Sequence, residues 1–110
     1  MEKEDYRGIY RVYYITLSNN EKSLYIAEIK ASKYGCGYGS SMIKEILEKA
    51  DNEHISTCLH ANCGIYEDGG LNQEELENWY FRNGFNLCYD LDPSIGYNFF
   101  YRDVRNHLDL

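Results

Sequence analysis

The residues that most clearly suggest chemistry in this sequence form a glycine-rich stretch at positions 34–40. Three glycines, Gly35, Gly37 and Gly39, alternate directly before a pattern typical of a helix. Glycine adopts backbone conformations that a Cβ forbids, and it leaves its N–H groups uncovered. At a helix start, those N–H groups and the positive end of the helix dipole favour a phosphate or pyrophosphate. The alternative interpretation of so short a motif is a turn that only connects a strand to a helix.

Composition and charge narrow the class of protein. With 110 residues, 44% of them apolar and 15% aromatic, the chain is expected to fold as one domain with a modest core. Its 18 acidic and 11 basic side chains give a formal net charge of −7. This charge argues against a nucleic-acid partner and favours a cationic amine or a basic protein surface, although solubility alone would also explain it.

The location is expected to be cytoplasmic, with no membrane association. No apolar run approaches the roughly 18 residues of a membrane helix, and the charged residues 1–5 have no apolar segment behind them that would indicate a signal peptide. The four cysteines should therefore stay reduced. Cys58 and Cys63 flank His60, but this spacing matches no structural zinc site, so no metal is expected. A metal-binding protein that uses Cys58, His60 and Cys63 is one alternative hypothesis.

Hydrophobic periodicity predicts the elements that position the glycine stretch. Residues 9–17 and 24–31 are rich in β-branched and aromatic types, and they predict an antiparallel hairpin that follows a solvated charged end. From Ser40 the period becomes helical. A third strand, from His54 or Ile55 to residue 61, must lie parallel to the second because a helix connects them. The predicted apolar face of this helix consists of Met42, Ile43, Ile46, Leu47 and Ala50.

The second half of the chain predicts one more helix and two more strands. A mobile loop is predicted for the glycine-containing residues 62–70. Asn72 with Glu75 three residues later predicts a capped helix start, and Gly84 predicts the helix end. The remaining predicted elements are strands over residues 85–91 and 97–104, joined by a turn at 92–96. The predicted order is β-β-α-β-α-β-β, an α/β (α+β) arrangement.

This order, with two motifs in it, resembles the GNAT superfamily, the acetyl-CoA-dependent N-acetyltransferases. The acetyl-CoA loop of that family, Q/R-x-x-G-x-G/A, follows a strand and opens a helix, and Tyr-Gly-Cys-Gly-Tyr-Gly stands in that place at residues 34–39. The family's later motif is an aromatic helix that ends Y-x-x-x-G-F. It is matched here from Tyr80 to Phe85. The matched region runs from about residue 24 to residue 85.

The sequence departs from the family pattern in three ways. Tyr34 replaces the usual Gln or Arg of the loop, with Lys33 beside it, and the family's Asn falls at Gln73, next to Asn72. Fewer elements precede the loop than in most members. In this respect the chain resembles small phage-encoded members, among them anti-CRISPR acetyltransferases. The resemblance implies a single shortened GNAT-like domain over residues 1–110, with a mixed central sheet splayed between the strands that flank the first helix.

The resemblance implies acetyl transfer from a CoA thioester to an amine. Tyr80 is implied as the acid that protonates the CoA thiolate, since a phenol with a pKa of about 10 is protonated at pH 7; the alternative is a core aromatic. Glu28 and His60 are candidate bases, and the alternatives are a solvent-facing glutamate and a core histidine. The implied cofactor-binding residues are Ala27, Ile29, Tyr34, Gly35, Cys36, Gly37, Tyr38, Gly39, Ser40, Asn72 and Gln73.

The expected acceptor is a lysine on a basic protein surface, because an open acceptor side suits a protein better than a small metabolite. Acidic residues around the predicted loop would attract such a surface, or would equally form a solvated helix start. They are Glu67, Asp68, Glu74 and Glu75. A homodimer through the tyrosine-rich strands stays open. The rival hypothesis is a non-catalytic acidic inhibitor or interaction protein with the same fold.

Overall fold

The strands form where β-branched and aromatic residues are densest, and one further strand forms at the charged start. In this computed structural model, which describes residues 1–61, 71–92 and 98–107, they are β1 (Glu2–Asp5), β2 (Gly8–Thr16), β3 (Lys22–Ala31), β4 (Ser56–His60), β5 (Asn86–Leu87) and β6 (Phe99–Arg102). Within these residues the sheet has the order β1-β2-β3-β4-β6-β5. β3 and β4 are parallel, and the other neighbours are antiparallel.

Both α-helices of the described residues cover the same face of the sheet. α1 (Tyr38–Glu53) crosses from β3 to β4, and α2 (Gln73–Arg82) precedes β5. The predicted apolar face of α1 is buried against the sheet residues Val12, Leu24, Ile26 and Leu59. This mixed sheet with both α-helices on one face confirms the predicted α+β fold class with a mixed central sheet. Neither helix is long and apolar enough to cross a membrane.

The opposite face of the sheet carries a smaller apolar cluster and is partly covered by the segment that ends at Asp92. The cluster consists of Leu17, Cys58, Phe99 and Tyr101, with Ile15, Tyr25, Cys88 and Leu91 packed against it. Ser18 fixes the covering segment, because its Oγ donates a hydrogen bond to the main-chain oxygen of Asp92 at 2.7 Å. Tyr25, which packs against this cluster, therefore faces away from the helices.

The charged end is solvated as predicted, with Glu2, Lys3 and Glu4 exposed, but it was predicted without a strand, and residues 2–5 form β1. β1 pairs with β2, with Glu2 opposite Arg11, and the N-terminal ammonium donates to the Val12 carbonyl at 2.6 Å. An edge strand needs only main-chain partners, and its charged side chains can stay in water. The apolar pattern therefore gives no sign of it. The observed order accordingly has one more strand at its start than the predicted order.

The predicted strand over residues 85–91 was too long. Only Asn86–Leu87 is a strand, and Tyr89–Leu91 forms a 3₁₀ turn. Cys88 and Leu91, three residues apart, both pack on the opposite-face cluster, which a turn permits and a flat strand does not. The last strand is shorter than predicted and spans Phe99–Arg102; the start of its predicted range lies outside the described residues.

The hairpin of β2 and β3 and the parallel pairing of β3 with β4 were predicted correctly. β4 begins at Ser56, since His54 instead ends α1 in a left-handed conformation with φ of 58°. The predicted capping box of α2 is confirmed: Asn72 Oδ1 accepts from the Glu75 N–H at 2.8 Å, and the Glu75 carboxylate accepts from the Asn72 N–H. Gly84 follows the helix with φ of 91°. The predicted loop at 62–70 lies outside the described residues.

A β-bulge and a divergence of strands shape the middle of the sheet. Val12 lies opposite Ile26 but Arg11 lies opposite Glu28, so Ala27 has no partner on β2. The bulge lets Ile26 and Ile29 both pack towards the helices although they are three residues apart. On its other edge β3 pairs with β4 over residues 23–25 alone. This divergence is the predicted splay, and it leaves the β4-facing edge of β3 without a strand partner in the described residues.

A buried arginine ties the turn between β1 and β2 to the first turns of α1. The Arg7 guanidinium donates to Asp5 at 2.8 Å, to Ser41 Oγ at 3.0 Å and to Glu45 at 3.3 Å. The neighbouring Gly8 has φ of 136°, and a Cβ there would lie 2.0 Å from the Lys30 carbonyl oxygen. The turn is therefore held closely against both β3 and α1. Hydrogen bonds from Arg7 lower the pKa of Asp5 to about 2.

Acid should weaken the contacts between Asp5 and Arg7. Because the folded pKa of Asp5 lies below its ordinary value of 3.8, its contribution to stability is complete above about pH 4 and is lost as the pH falls towards about 2. We expect the free energy of unfolding, measured in urea, to fall more steeply over this window in the wild type than in Asp5→Asn, whose amide does not titrate there. Glu4→Gln, which removes an exposed carboxylate from the same strand, is the control. If the free energy of unfolding changed equally with pH in Asp5→Asn and in the wild type, the titration of Asp5 would not contribute to stability.

A candidate cofactor cleft at the strand splay

A cleft of about 380 Å³ opens where β3 ends and α1 begins. One wall is the end of β3 together with the glycine stretch that follows it. The other wall is α2, which contributes Leu76, Trp79 and Tyr80, and Leu71, shortly before α2, also lines the cleft. The cleft therefore combines the unpaired edge of a strand with the start of a helix.

The glycine stretch turns the chain into α1 and leaves open space in front of it. Gly35 and Gly37 have φ of 82° and 76°, and a Cβ on either would meet no atom within 4 Å. The backbone conformation therefore favours glycine at these positions, although the space around them would accommodate a side chain. α1 begins at Tyr38, two residues earlier than predicted, so that Gly39 and Ser40 belong to its first turn.

The N-terminus of α1 has no protein cap in the described residues. Gly37 occupies the cap position and has no side chain to accept a hydrogen bond, and the first turn contains no acidic residue. The first hydrogen bond of the helix runs from the Ser41 N–H to the Gly37 carbonyl at 3.0 Å. The N–H groups of residues 38–40 donate to none of the described residues. Such a helix end favours an anion, because both its donors and its dipole are uncompensated.

The structure brings most of the predicted cofactor-binding residues together in this cleft. Those that line it are Ile29, Tyr34, Gly35, Gly37, Tyr38, Gly39 and Ser40. Cys36 is exposed beside it, and Ala27 lies further back, at the bulge of β3. Asn72 and Gln73 do not line the cleft. Asn72 caps α2, and the Gln73 amide donates to the Ala61 carbonyl at 2.8 Å.

Tyr80 is both a core residue and a cleft residue. Its side chain is 7% exposed, and its ring lies 5.0 Å from that of Trp79, 5.6 Å from that of Phe85 and 6.1 Å from that of Phe100, measured between centroids. It nonetheless borders the cleft. The two interpretations of this residue from sequence, a core aromatic and a group at the site, are therefore compatible.

Trp79 is a cleft residue that the sequence analysis did not single out. A Cβ on Gly39 would lie 3.7 Å from the Trp79 ring, and the indole Nε1 lies 3.5 Å from Ser40 Oγ. Trp79 thus joins α2 to the first turn of α1 across the cleft. Its place next to Tyr80 in the aromatic motif was the available signal.

The two predicted bases lie on the face opposite the helices, one on each side of the splay. Glu28 on β3 pairs with Arg11, with 3.6 Å between Oε2 and Nε. His60 on β4 is 2.8 Å from the Tyr25 hydroxyl through Nδ1 and 3.4 Å from Asp92 Oδ2 through Nε2. Neither Glu28 nor His60 lines the cleft. Local sequence pattern could not reveal the contacts of Tyr25 and Asp92 with His60, because these residues are more than thirty positions from it.

Cys58, the first residue of the suggested metal cluster, is buried in the opposite-face cluster. It accepts a hydrogen bond from Ser23 at 3.3 Å, and burial raises the pKa of its thiol to about 12. The thiolate that would bind a metal is therefore disfavoured. Cys63 lies outside the described residues, and those residues contain no group of three or more side chains placed to hold a metal ion.

Comparison with known proteins gives a structural similarity without a sequence match. The sequence matches no family model and no curated protein. The fold is similar to the crystal structure of the anti-CRISPR protein AcrVA5, with a TM-score of 0.66. The alignment covers 92% of this chain and 95% of that chain, at 22% sequence identity. At this identity the similarity shows a shared fold and transfers no residue roles.

Substitution of Gly39 should separate stability from ligand binding. An alanine Cβ would make only an ordinary contact with Trp79, and alanine is favoured over glycine in a helix by up to about 1 kcal/mol. The same methyl group would project beside the open N–H groups of the cleft. We therefore expect Gly39→Ala to melt at the wild-type temperature or above, while CoA raises its melting temperature less than that of the wild type. Lys44→Ala, at an exposed position of α1, is the control. An unchanged CoA effect in Gly39→Ala would argue against an anion site here.

Proposed function

We propose that this chain is a GNAT-type N-acetyltransferase that transfers the acetyl group of acetyl-CoA to an amine, with a protein lysine as the acceptor. The observation that carries the proposal is the coincidence of two features at one cleft. The uncapped start of α1 meets the unpaired edge of β3 there. A turn that merely connected the strand to the helix would need neither feature.

The cleft offers complementary surfaces to the two halves of CoA. The N–H groups of residues 38–40 would hold the pyrophosphate, and a helix dipole contributes about 0.3–1 kcal/mol per charge at such a position. Lys30 and Lys33 line the cleft and supply positive charge in an otherwise acidic protein. The main-chain groups of Ala27 and Ile29 on the free edge of β3 would pair with the amides of the pantetheine arm.

Tyr80 is the proposed acid of the reaction. As the amine nitrogen bonds to the acetyl carbon and the carbon–sulfur bond breaks, the Tyr80 hydroxyl gives its proton to the departing sulfur. The surplus proton of the new amide nitrogen then restores the phenol. A phenol suits this role, because its pKa of about 10 keeps it protonated at neutral pH while a CoA-like thiolate, at about 8.5, still accepts the proton.

The amine must lose a proton before it can attack. A lysine amine with a pKa near 10.4 is neutral in only about one molecule in 2,500 at pH 7, so a base accelerates the reaction. Glu28 and His60 are the proposed bases, and both lie on the face of the sheet opposite the helices. This arrangement would place the acid and the base on opposite faces of the splay.

We propose a protein as the acceptor and the cytoplasm as the location. The net charge of −7 suits a basic protein surface, and the structural neighbour is itself an anti-CRISPR protein, a role that is consistent with a protein partner. An anti-CRISPR role is the specific form of this proposal. The cysteines of the described residues, Cys36, Cys58 and Cys88, are free, which suits a reducing compartment.

Replacement of Tyr80 by phenylalanine tests the proposed chemistry. Phenylalanine retains the ring that packs on Trp79, Phe85 and Phe100, so that only the proton donor is lost. We expect the release of CoA thiol from acetyl-CoA, with poly-L-lysine as acceptor, to slow by about 100-fold or more. The affinity for acetyl-CoA should change by less than about twofold, since a proton donated only in the transition state adds little to ground-state binding.

Tyr14→Phe is the matched control, because Tyr14 is half exposed and bonds to Glu53 at the far end of α1. It should release CoA at the wild-type rate. Wild-type turnover in Tyr80→Phe would remove Tyr80 from its proposed role. Acetyl-CoA binding with no CoA release by the wild-type protein would instead favour the non-catalytic interaction protein.

A further inference from the structure

We propose that Tyr25, His60 and Asp92 form a proton relay that deprotonates the acceptor amine on the face of the sheet opposite the helices. This inference rests on the proposed acetyltransferase function and specifies how its base works and from which side the acceptor enters. Tyr25 and Asp92 were not among the predicted site residues. Their placement in the folded chain carries the inference.

The Tyr25 hydroxyl lies at the start of the splay. Tyr25, opposite Cys58, is the last residue of β3 that pairs with β4. Its hydroxyl reaches across to His60, two residues further along β4, with 2.8 Å between the oxygen and Nδ1. The hydrogen bond therefore crosses the gap between the strands where they separate. This is the point at which the free edge of β3, and with it the pantetheine path, begins.

The direction of the hydrogen bonds follows from Asp92. A carboxylate only accepts hydrogen bonds, so the contact of 3.4 Å between Asp92 Oδ2 and His60 Nε2 places the histidine proton on Nε2. Nδ1 then has a lone pair, and it accepts the Tyr25 proton. The Asp92 side chain is only 5% exposed, and the rings of Tyr25 and Phe99 flank the imidazole at 5.7 and 5.1 Å. The packing thus holds the imidazole in one orientation.

The titratable groups that face Tyr25 leave it protonated. They are Tyr13 on β2, Cys58 and His60 on β4, and Asp92. Burial, followed by the neighbouring Tyr13, raises the pKa of Tyr25 above that of an ordinary phenol. The hydroxyl therefore has its proton at neutral pH and can pass it to His60 while its oxygen accepts another.

The step balances in protons. The ammonium of the acceptor gives one proton to the Tyr25 oxygen as the Tyr25 proton moves to His60 Nδ1. The products are a neutral amine, a neutral tyrosine and an imidazolium beside the Asp92 carboxylate. His60 is partly exposed and returns the proton to water. The neutral amine then attacks the thioester, whose sulfur leaves with the proton of Tyr80.

The relay also determines from which face of the sheet the acceptor amine enters. Tyr80 and the cofactor cleft lie on the helix face, whereas Tyr25 and His60 are absent from the cleft lining and belong to the other face. A long, unbranched lysine side chain could reach the splay from that face without crossing α1 or α2. The acceptor protein would accordingly contact the face opposite the helices.

The experiment compares Tyr25→Phe and His60→Gln with Tyr13→Phe, in which the neighbouring phenol outside the relay is removed. CoA release is measured with acetyl-CoA and poly-L-lysine, and acetyl-CoA binding is measured by thermal unfolding. We expect kcat to fall by about 100-fold in the first two variants, with unchanged acetyl-CoA binding, and to stay within about twofold in Tyr13→Phe.

The variant Asp92→Asn tests whether Asp92 orients His60 for the relay or only supports the local fold. We expect the His60 proton, located by nitrogen-15 NMR, to lose its preference for Nε2, because the carboxylate that accepts it is gone. A purely structural loss would lower kcat and leave the His60 proton on Nε2. Nitrogen-15 NMR of the wild type should show the His60 proton on Nε2 at neutral pH.

Wild-type turnover in Tyr25→Phe, or a His60 proton on Nδ1, would overturn the relay and leave the acetyltransferase proposal intact. Absence of acetyl-CoA binding, or of CoA release by the wild type, would refute the acetyltransferase proposal, and the relay would fall with it. The two failures are therefore distinguishable.

Discussion

The separation of β3 from β4 after three paired residues is the constraint on which the rest of the structure depends. A regular parallel pair would close the sheet and bury the main-chain groups of both strands. Here the bulge at Ala27 redirects β3, and its far end stays open along one edge. An open strand edge is normally covered or protected, since it invites pairing with another chain. Its position beside an uncapped helix start suggests that a ligand pairs with it.

The surrounding contacts keep this open arrangement in place. Arg7 binds Asp5, Ser41 and Glu45 and so fixes the start of α1 against the β1–β2 turn. Trp79 fixes the other side through its contacts with the first turn of α1. The three glycines of the stretch, Gly35, Gly37 and Gly39, can therefore hold their position without side chains of their own. Fixed elements on both sides of this stretch suit the proposed site for an extended, charged cofactor.

Sequence pattern was sufficient for the parts of the fold that depend on local periodicity. The α1 face, the hairpin, the parallel crossover and the capping box of α2 each follow from residues close together in the chain. β1 was missed because an edge strand of charged residues has no apolar alternation. The glycine stretch lies between a strand and a helix as predicted, because its turn-forming residues are close together in the chain. The contacts of Tyr25 and Asp92 with His60 depend on tertiary folding and could not be predicted.

We propose that the splay and the start of α1 form one binding site for acetyl-CoA. Titration of acetyl-CoA into nitrogen-15-labelled protein, followed by amide NMR, measures whether they do. We expect one saturable site per chain, with the largest shifts at Gly35, Gly37, Gly39 and the Trp79 indole. We expect little change at the far edge of the sheet, in β1. Shifts confined to β1, or no saturable shifts at all, would contradict it.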